Sequence, residues 1–283
     1  MSFALLATMA FAMNAQQPQG KIEVTYLANE GLLIESGGKK ILVDALFRED
    51  IGFAPPPAET LAKLESGQAL FDGVSLVLAT HFHEDHFNAP SVAEHLRANK
   101  RATFVSVQNV VELLFAVLPE GAPERARVRS VTPEMNQRTR FAVDGIQVDA
   151  IRLKHGDWVN TAFLIHIGGK KILHLGDTGG LVANLDAVDL EKERIDVAFV
   201  PYAYFFTEEG VRVLREHIAA KELVAFHIPD DSVMTKEYAE DSFGRVMASN
   251  MKRAGGQAGV RARVLAAWPE AKVATQPGER WLF

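Results

Sequence analysis

The 283-residue chain contains no cysteine. That absence removes disulfides and thiolate metal sites, so any transition-metal site has to be built from imidazole and carboxylate. The redox compartment stays open on this point. Nor is there an excess of positive charge: 30 Lys and Arg stand against 36 Asp and Glu, interspersed, for a net charge of -6. Without a basic stripe to neutralise phosphates, nucleic acid is not an expected partner. No apolar run reaches the roughly 20 residues that a membrane-spanning helix needs. The N-terminal run "MSFALLATMAFAMNA", followed by "QQPQG", has the apolar region of a signal peptide and small residues near Ala10, Ala12 and Ala15 that suit cleavage, but no preceding Lys or Arg. Residues 1–20 are therefore expected to be a signal peptide or flexible N-terminal segment and the protein to be periplasmic or secreted. A cytoplasmic protein with a frayed or docked N-terminal helix is the alternative. Repeats of 20–50 residues and low-complexity tracts are also missing.

What is present is a large apolar fraction, 48% of the chain, enough to bury a sizeable core. No composition break divides residues 21–283, which are expected to form one domain. Lys21–Leu27, Gly31–Glu35 and Lys40–Asp44 read as an antiparallel meander with Ser36-Gly37-Gly38 as a turn. A long first loop, Phe47–Asp72, carries Pro55-Pro56-Pro57 and a short helix from Glu59 to Leu64. Helices over Ala89–Asn99 and Val110–Leu118 alternate with a strand at Thr103–Val107. A second strand series follows, at Val128–Val131, Arg138–Val143, Ile146–Leu153, Thr161–Ile167 and Lys171–Leu175, with Asp144-Gly145 and Gly168-Gly169 as hairpin turns. The buried strand "IDVAFVPY", a helix over Glu208–Ala220, the strand "LVAFHI", a helix over Ser249–Ala267 and a strand at Glu279–Phe283 complete the chain. Two strand-rich halves with interleaved helices suggest two face-to-face sheets covered by helices.

Behind the apolar run Val74–Ala79 stands Thr80-His81-Phe82-His83-Glu84-Asp85-His86-Phe87. His81 and His83 are two residues apart, so in extended geometry they project to one side and can share an ion. After a turn, Asp85 and His86 can face a second point nearby. Two ions need more donors than these four. Three further candidates stand at the ends of predicted strands: His155, Asp177 in "LGDTGG" and His227, where scaffolds present functional groups.

The series His-x-His-x-Asp-His, a lone His, Leu-Gly-Asp-Thr-Gly and a lone His after a strand resembles the metallo-β-lactamase superfamily over nearly the whole chain from about Lys21. The resemblance implies an α/β (α+β) fold, the four-layer αβ/βα sandwich, with the site at one edge of two sheets. It also implies that His81, His83 and His155 bind one ion, Asp85, His86 and His227 a second, and that Asp177 bridges them. Within the superfamily, "KILHLGDTGG" looks most like the branch of ascorbate-phosphate lactonase-like hydrolases. The missing cysteine departs from lactamases with a Cys ligand, and His83 stands where flavodiiron oxidoreductases carry Glu.

The expected cofactor is two divalent metal ions, zinc first, with manganese or iron as alternatives. A pair of such ions lowers the pKa of a water held between them and polarises the substrate oxygen. Hydrolysis of an ester, lactone, amide or phosphoester bond in a small molecule is the expected activity. Asp85 has a second, catalytic part as the acceptor that orients the attacking water or takes its proton. The rivals are an iron-dependent oxidoreductase on the same ligands and a non-catalytic metal-binding domain. Asp44 and His174 are expected to buttress the ligands, and His166 is a weaker candidate for the same role or for the core. Trp158, Tyr204 and Phe47 are candidate substrate contacts, with Phe53, Phe82 and Phe87 nearby and Arg152 or Lys154 for an anion. His95 and His217 are expected to be solvated.

Overall fold

The computed structural model describes residues 20–238 and 242–283; the expected N-terminal signal peptide lies outside the described residues but for Gly20, and among the described residues no helix is long and apolar enough to cross a membrane. The first sheet is built from β1 (Glu23–Ala28), β2 (Gly31–Ser36), β3 (Lys39–Val43), β4 (Leu76–Leu78), β5 (Thr103–Ser106) and β6 (Val128–Ser130). The second holds β7 (Arg138–Val143), β8 (Ile146–His155), β9 (Trp158–Ile167), β10 (Lys170–His174), β11 (Val197–Pro201), β12 (Glu222–Phe226) and β13 (Lys272–Val273). The last strand, β14 (Arg280–Leu282), returns to pair with β1 and closes the first sheet's edge.

Period-two alternation sorts the side chains into layers. From β3, Ile41 and Val43 enter the core between the sheets, where they join Val148, Phe163, Ile165 and Phe199. Leu42 points the other way, into a cluster with Leu64, Val92, Leu96 and Leu114 from α1 (Ala58–Glu65), α2 (Ala89–Ala98) and α3 (Gln108–Val117). On the far side, Leu164, Leu173 and Ala198 pack against Leu185, Val213, Met251 and Val264 of α4 (Val182–Leu185), α5 (Glu208–Val213), α6 (Phe243–Ala254) and α7 (Gly256–Ala267). Helix, sheet, sheet, helix is the four-layer αβ/βα sandwich expected from the sequence.

Strand direction places the site. β3 and β4 run parallel, so Asp44 and His81 leave the first sheet at one edge. β8 and β10 both run antiparallel to β9, and β10, β11 and β12 are mutually parallel. His155, Asp177 and His227 therefore all follow the carboxyl ends of strands pointing the same way, the usual place for a site in such sheets.

Three local expectations need correction. The helix expected over Ser249–Ala267 is two helices, because Gly255 (φ 86°) and Gly256 (φ 71°) are left-handed and a Cβ at Gly256 would stand 2.6 Å from Asp231 Oδ1. The helix expected to Ala220 widens into a π turn at Leu214–Ile218 and stops at Ala219, whose φ is 48°. His95 is buried on the inner face of α2, its Nδ1 2.6 Å from the Leu64 carbonyl, and His217 is largely covered beside Asp186.

Candidate metal centre

The loop after β4 presents its side chains through a scaffold of fixed hydrogen bonds. Thr80 donates its N–H to Asp44 Oδ1 at 2.8 Å and its hydroxyl to Asp44 Oδ2 at 2.6 Å. With that hydroxyl proton committed, Thr80 Oγ1 is left to accept from His81 Nδ1, 3.0 Å away, which leaves His81 Nε2 as the lone pair. Asp44 Oδ2 likewise lies 2.9 Å from His86 Nδ1, turning Nε2 of that ring inward. The N–H groups of His86 and Phe87 both reach the His83 carbonyl at 3.0 Å, making the turn that carries Asp85 and His86 to their own side. Asn88 then caps α2 by accepting from the Ser91 N–H.

Asp177 enters from the second sheet on a turn that only glycine permits. Gly176 has φ 55°, and a Cβ there would stand 2.5 Å from Asn160 Oδ1 and 2.9 Å from Thr80 Cβ. Thr178 Oγ1 donates to the Leu175 carbonyl, and Tyr204, buried beneath, donates its hydroxyl to the Thr178 carbonyl at 2.9 Å.

Two clusters result. His81, His83, His155 and Asp177 place one donor each within 4.8 Å of one another, as do Asp85, His86 and His227. Asp177 faces both: Oδ2 lies 3.6 Å from His81 Nε2 and from His155 Nε2, while Oδ1 lies 3.4 Å from His86 Nε2 and 3.2 Å from His227 Nδ1. All seven residues expected to be ligands are thus brought together. A polar cluster this buried is normally hydrogen-bonded throughout, yet His86 Nε2, His155 Nε2, Asp177 Oδ1 and His227 Nδ1 have no hydrogen-bond partner. Converging orphan lone pairs of nitrogen and oxygen fit divalent ions at both places.

The electrostatics agree for three of the imidazoles. Burial holds His81, His83 and His227 below the ordinary imidazole range, in the neutral form that binds a cation. His86 moves the opposite way despite its burial, because Asp85 and Asp177 face it. Burial would raise Asp177, but His227, His86 and His81 outweigh it and hold the carboxylate ionised.

Among the expected supports, Asp44 binds His86 as described. His174 is buried and accepts the Gly176 N–H at Nδ1, so its Nε2–H donates to the Glu30 carbonyl at 2.9 Å; it ties the Asp177 turn to the β1–β2 turn. His166 is away from the site, 3.5 Å from Asp149. Sequence reasoning missed Asn29 and Glu30. Asn29 Nδ2 donates to both Asp85 O and Asp85 Oδ2 at 3.0 Å, and Glu30, wholly buried, has its carboxyl pushed well up by burial and by Asp177. Their only signal was two polar residues in a hairpin turn, which turns carry routinely.

A cavity of about 980 Å³ opens over Asp177 and His227. Ile51, Phe53, Phe82, Leu113, Val117 and Trp158 line it together with Phe243, and the Phe53 ring lies 4.2 Å from that of His227. Of the expected substrate contacts, Trp158 lines this cavity. Phe47 does not: it is fully buried in the core, and Phe53 takes the wall. Tyr204 also misses the cavity and supports the Thr178 backbone instead. Neither Lys154 nor Arg152 lines the cavity; Arg152 Nη1 turns toward the Pro133 carbonyl.

Known proteins resemble this chain in sequence and fold. The chain is 27% identical over 198 residues, 66% of its length and 74% of the relative's, to a UPF0173 metal-dependent hydrolase of Pelotomaculum thermopropionicum. Its fold matches Igni18, a metallo hydrolase from the archaeon Ignicoccus hospitalis, at TM-score 0.58 and 20% identity over 93% of this chain and 98% of that one. It also matches CmlA, a diiron β-hydroxylase from Streptomyces venezuelae, at TM-score 0.54 and 14% identity, covering 94% of this chain and 54% of that one. The family model described as the beta-lactamase superfamily domain matches residues 39–234, more than half of the chain, and with the sandwich and the two converging clusters on one sheet edge it establishes that the chain belongs to the metallo-β-lactamase superfamily.

Proposed function

We propose that the protein is a metal-dependent hydrolase with two neighbouring divalent ions, zinc foremost, that cleaves an ester, lactone, amide or phosphoester bond in an amphipathic small molecule. The observation that carries this reading is the division of Asp177 between the clusters, one oxygen toward His81 and His155 and the other toward His86 and His227. His81, His83 and His155 would hold one ion, Asp85, His86 and His227 the other, with Asp177 serving both. Bound there, the ions supply Lewis acidity and a water acidified toward neutral pH.

The chain's own groups do the rest. Asp85, fixed by Asn29, lines the cavity beside Asp177, where it can orient a water or accept its proton as the bond to the carbonyl carbon or phosphorus forms. The apolar walls hold the substrate's apolar body and exclude water from the reacting groups. The cavity's size falls in the range of small-molecule sites, and walls mostly of Phe, Leu, Val, Ile and Trp beside the ionisable clusters suit an amphiphile.

The test is a hydrolysis panel on zinc- and manganese-loaded protein: lactones, thioesters, phosphodiesters, β-lactams and p-nitrophenyl esters of increasing chain length. Turnover that needs metal and improves with chain length supports the reading. Stoichiometric iron with oxygen consumption and no hydrolysis would replace it with the oxidoreductase alternative, for which the shared fold of the diiron hydroxylase is the favouring observation.

A further inference from the structure

We propose that Glu30 is an additional oxygen ligand of the ion held by Asp85, His86 and His227, and that it makes this position selective for a harder divalent ion, Mn²⁺ or Fe²⁺, over Zn²⁺. The inference rests on the two-ion reading above and deepens it.

Glu30 sits in the turn between β1 and β2 and is 0% exposed, with neither carboxyl oxygen hydrogen-bonded. Oε1 lies 3.4 Å from His227 Nδ1, the atom that is itself 3.2 Å from Asp177 Oδ1. One donor from each of Glu30, Asp177 and His227 lies within 4.8 Å of the others. Oε2 is 3.9 Å from both His86 Nδ1 and His174 Nδ1, beyond hydrogen-bond reach. The side chain is thus placed by its backbone, not by partners of its own. That backbone is fixed: His174 binds the Glu30 carbonyl, and a Cβ on the next residue, Gly31, would stand 2.9 Å from the Ala28 carbonyl and 3.1 Å from that of Asp44.

A buried carboxyl without a partner costs folding energy, so a fold that holds one rigidly against two ligand atoms needs a reason for it. Charge supplies one. Glu30, Asp44, Asp85 and Asp177 are all buried or nearly so, and among the described residues their ion pairs to one another's neighbours are with histidines, not with Lys or Arg. With the ions bound and Glu30 ionised beside them, four carboxylates would balance two divalent ions. Donor type supplies the selectivity. The His81, His83 and His155 position offers three imidazoles and one carboxylate oxygen, a zinc-like set, whereas the second offers two imidazoles and, with Glu30, three carboxylates, a set suited to harder ions.

The experiment loads the full-length protein from an equimolar Zn²⁺ and Mn²⁺ mixture (anaerobic Fe²⁺ in a parallel series). Bound metal is counted by mass spectrometry, and Mn²⁺ is followed by electron paramagnetic resonance. Wild type is expected to hold one zinc and one manganese per chain. Glu30→Gln, which keeps shape and loses charge, is expected to retain the zinc and bind manganese at least about tenfold more weakly. Should Glu30→Gln not fold, Glu30→Asp, which keeps the charge and withdraws the oxygen by one methylene, is expected to show the same selective loss. Unchanged second-ion affinity in either folded variant overturns the ligand role, and two zinc ions in wild type overturn the selectivity. A wild type that holds fewer than two ions overturns the two-ion reading itself, so the two failures are distinguishable.

Discussion

Asp44 Oδ2 stands 2.9 Å from His86 Nδ1, while Asp44 Oδ1 takes the Thr80 N–H. One buried carboxylate at the end of β3 thereby fixes the ring of His86, a proposed metal ligand, and the backbone that launches the loop after β4. Asp44 has φ 45°, a left-handed conformation that aspartate tolerates better than most residues. Asp44→Asn keeps the backbone but replaces one acceptor oxygen with an amide donor, so either Thr80 or His86 loses its partner. Losing such a buttress costs about 10–100-fold in metal affinity. Competition with a chromogenic chelator should show that drop, and excess metal should restore activity; an affinity equal to wild type would refute the orienting role.

Asp177 serves both clusters with different oxygens, so Asp177→Asn should act on both. Its amide leaves one oxygen and brings a donor where a lone pair was needed. The expected outcome is loss of at least one ion per chain and a fall in kcat of about 10²–10³-fold, several kcal/mol of transition-state stabilisation at about 1.4 kcal/mol per tenfold. Metal analysis and steady-state kinetics on the same sample check it. Two retained ions with wild-type turnover would remove the bridging role.

Trp158 is 52% exposed, and its ring meets Phe82 at 5.2 Å and His83 at 5.8 Å, so it walls the cavity beside the proposed ligand His83. Trp158→Ala should leave metal content intact. Removing part of an apolar wall forfeits about 1–2 kcal/mol of contact with a long-chain substrate, a drop of about tenfold in kcat/KM for decanoyl esters and little change for acetyl esters. An equal loss on both would place the effect at the metal ligands and not in the wall.

Much of this site was legible because its chemistry is written in residue types that have few other uses together. His81, His83, Asp85 and His86 announce themselves by spacing, and Asp177 by a glycine turn that the structure shows to be sterically required. What was not legible depends on distance across the fold. Glu30 and Asn29 look like ordinary turn residues until His174 from the facing sheet and Asp85 from the loop after β4 are brought against them. Phe47 and Tyr204 are aromatic rings near the site in sequence, where such rings serve as wall or core alike, and only packing decides: Phe47 turns into the core, and Tyr204 reaches the Thr178 carbonyl. His95 failed for the same reason, since its helix position shows a face only when α1 packs on it. The break at Gly255-Gly256 was visible as a glycine pair, but an apolar pattern running through it hid the turn.

Away from the site, Asp149 on β8 is fully buried opposite Arg140 on β7, which grips it with Nε at 2.6 Å and Nη2 at 2.9 Å. Burial alone would raise this carboxyl, but the bonds from Arg140 and His166 hold it far below the usual carboxylate range. A depressed folded-state pKa means that ionised Asp149 stabilises the fold fully above its unfolded value near pH 4, and that this contribution is lost as pH falls through the folded value. Fully buried, two charge-assisted bonds would contribute about 1.5–3 kcal/mol each; the exposure of Arg140 discounts the pair to about 1–2 kcal/mol in total. Asp149→Asn should therefore be less stable than wild type by that amount in urea unfolding at pH 7, and the gap should narrow at pH 3. A gap that stays constant from pH 7 to pH 3 would show that shape, not charge, is what Asp149 contributes to the sheet.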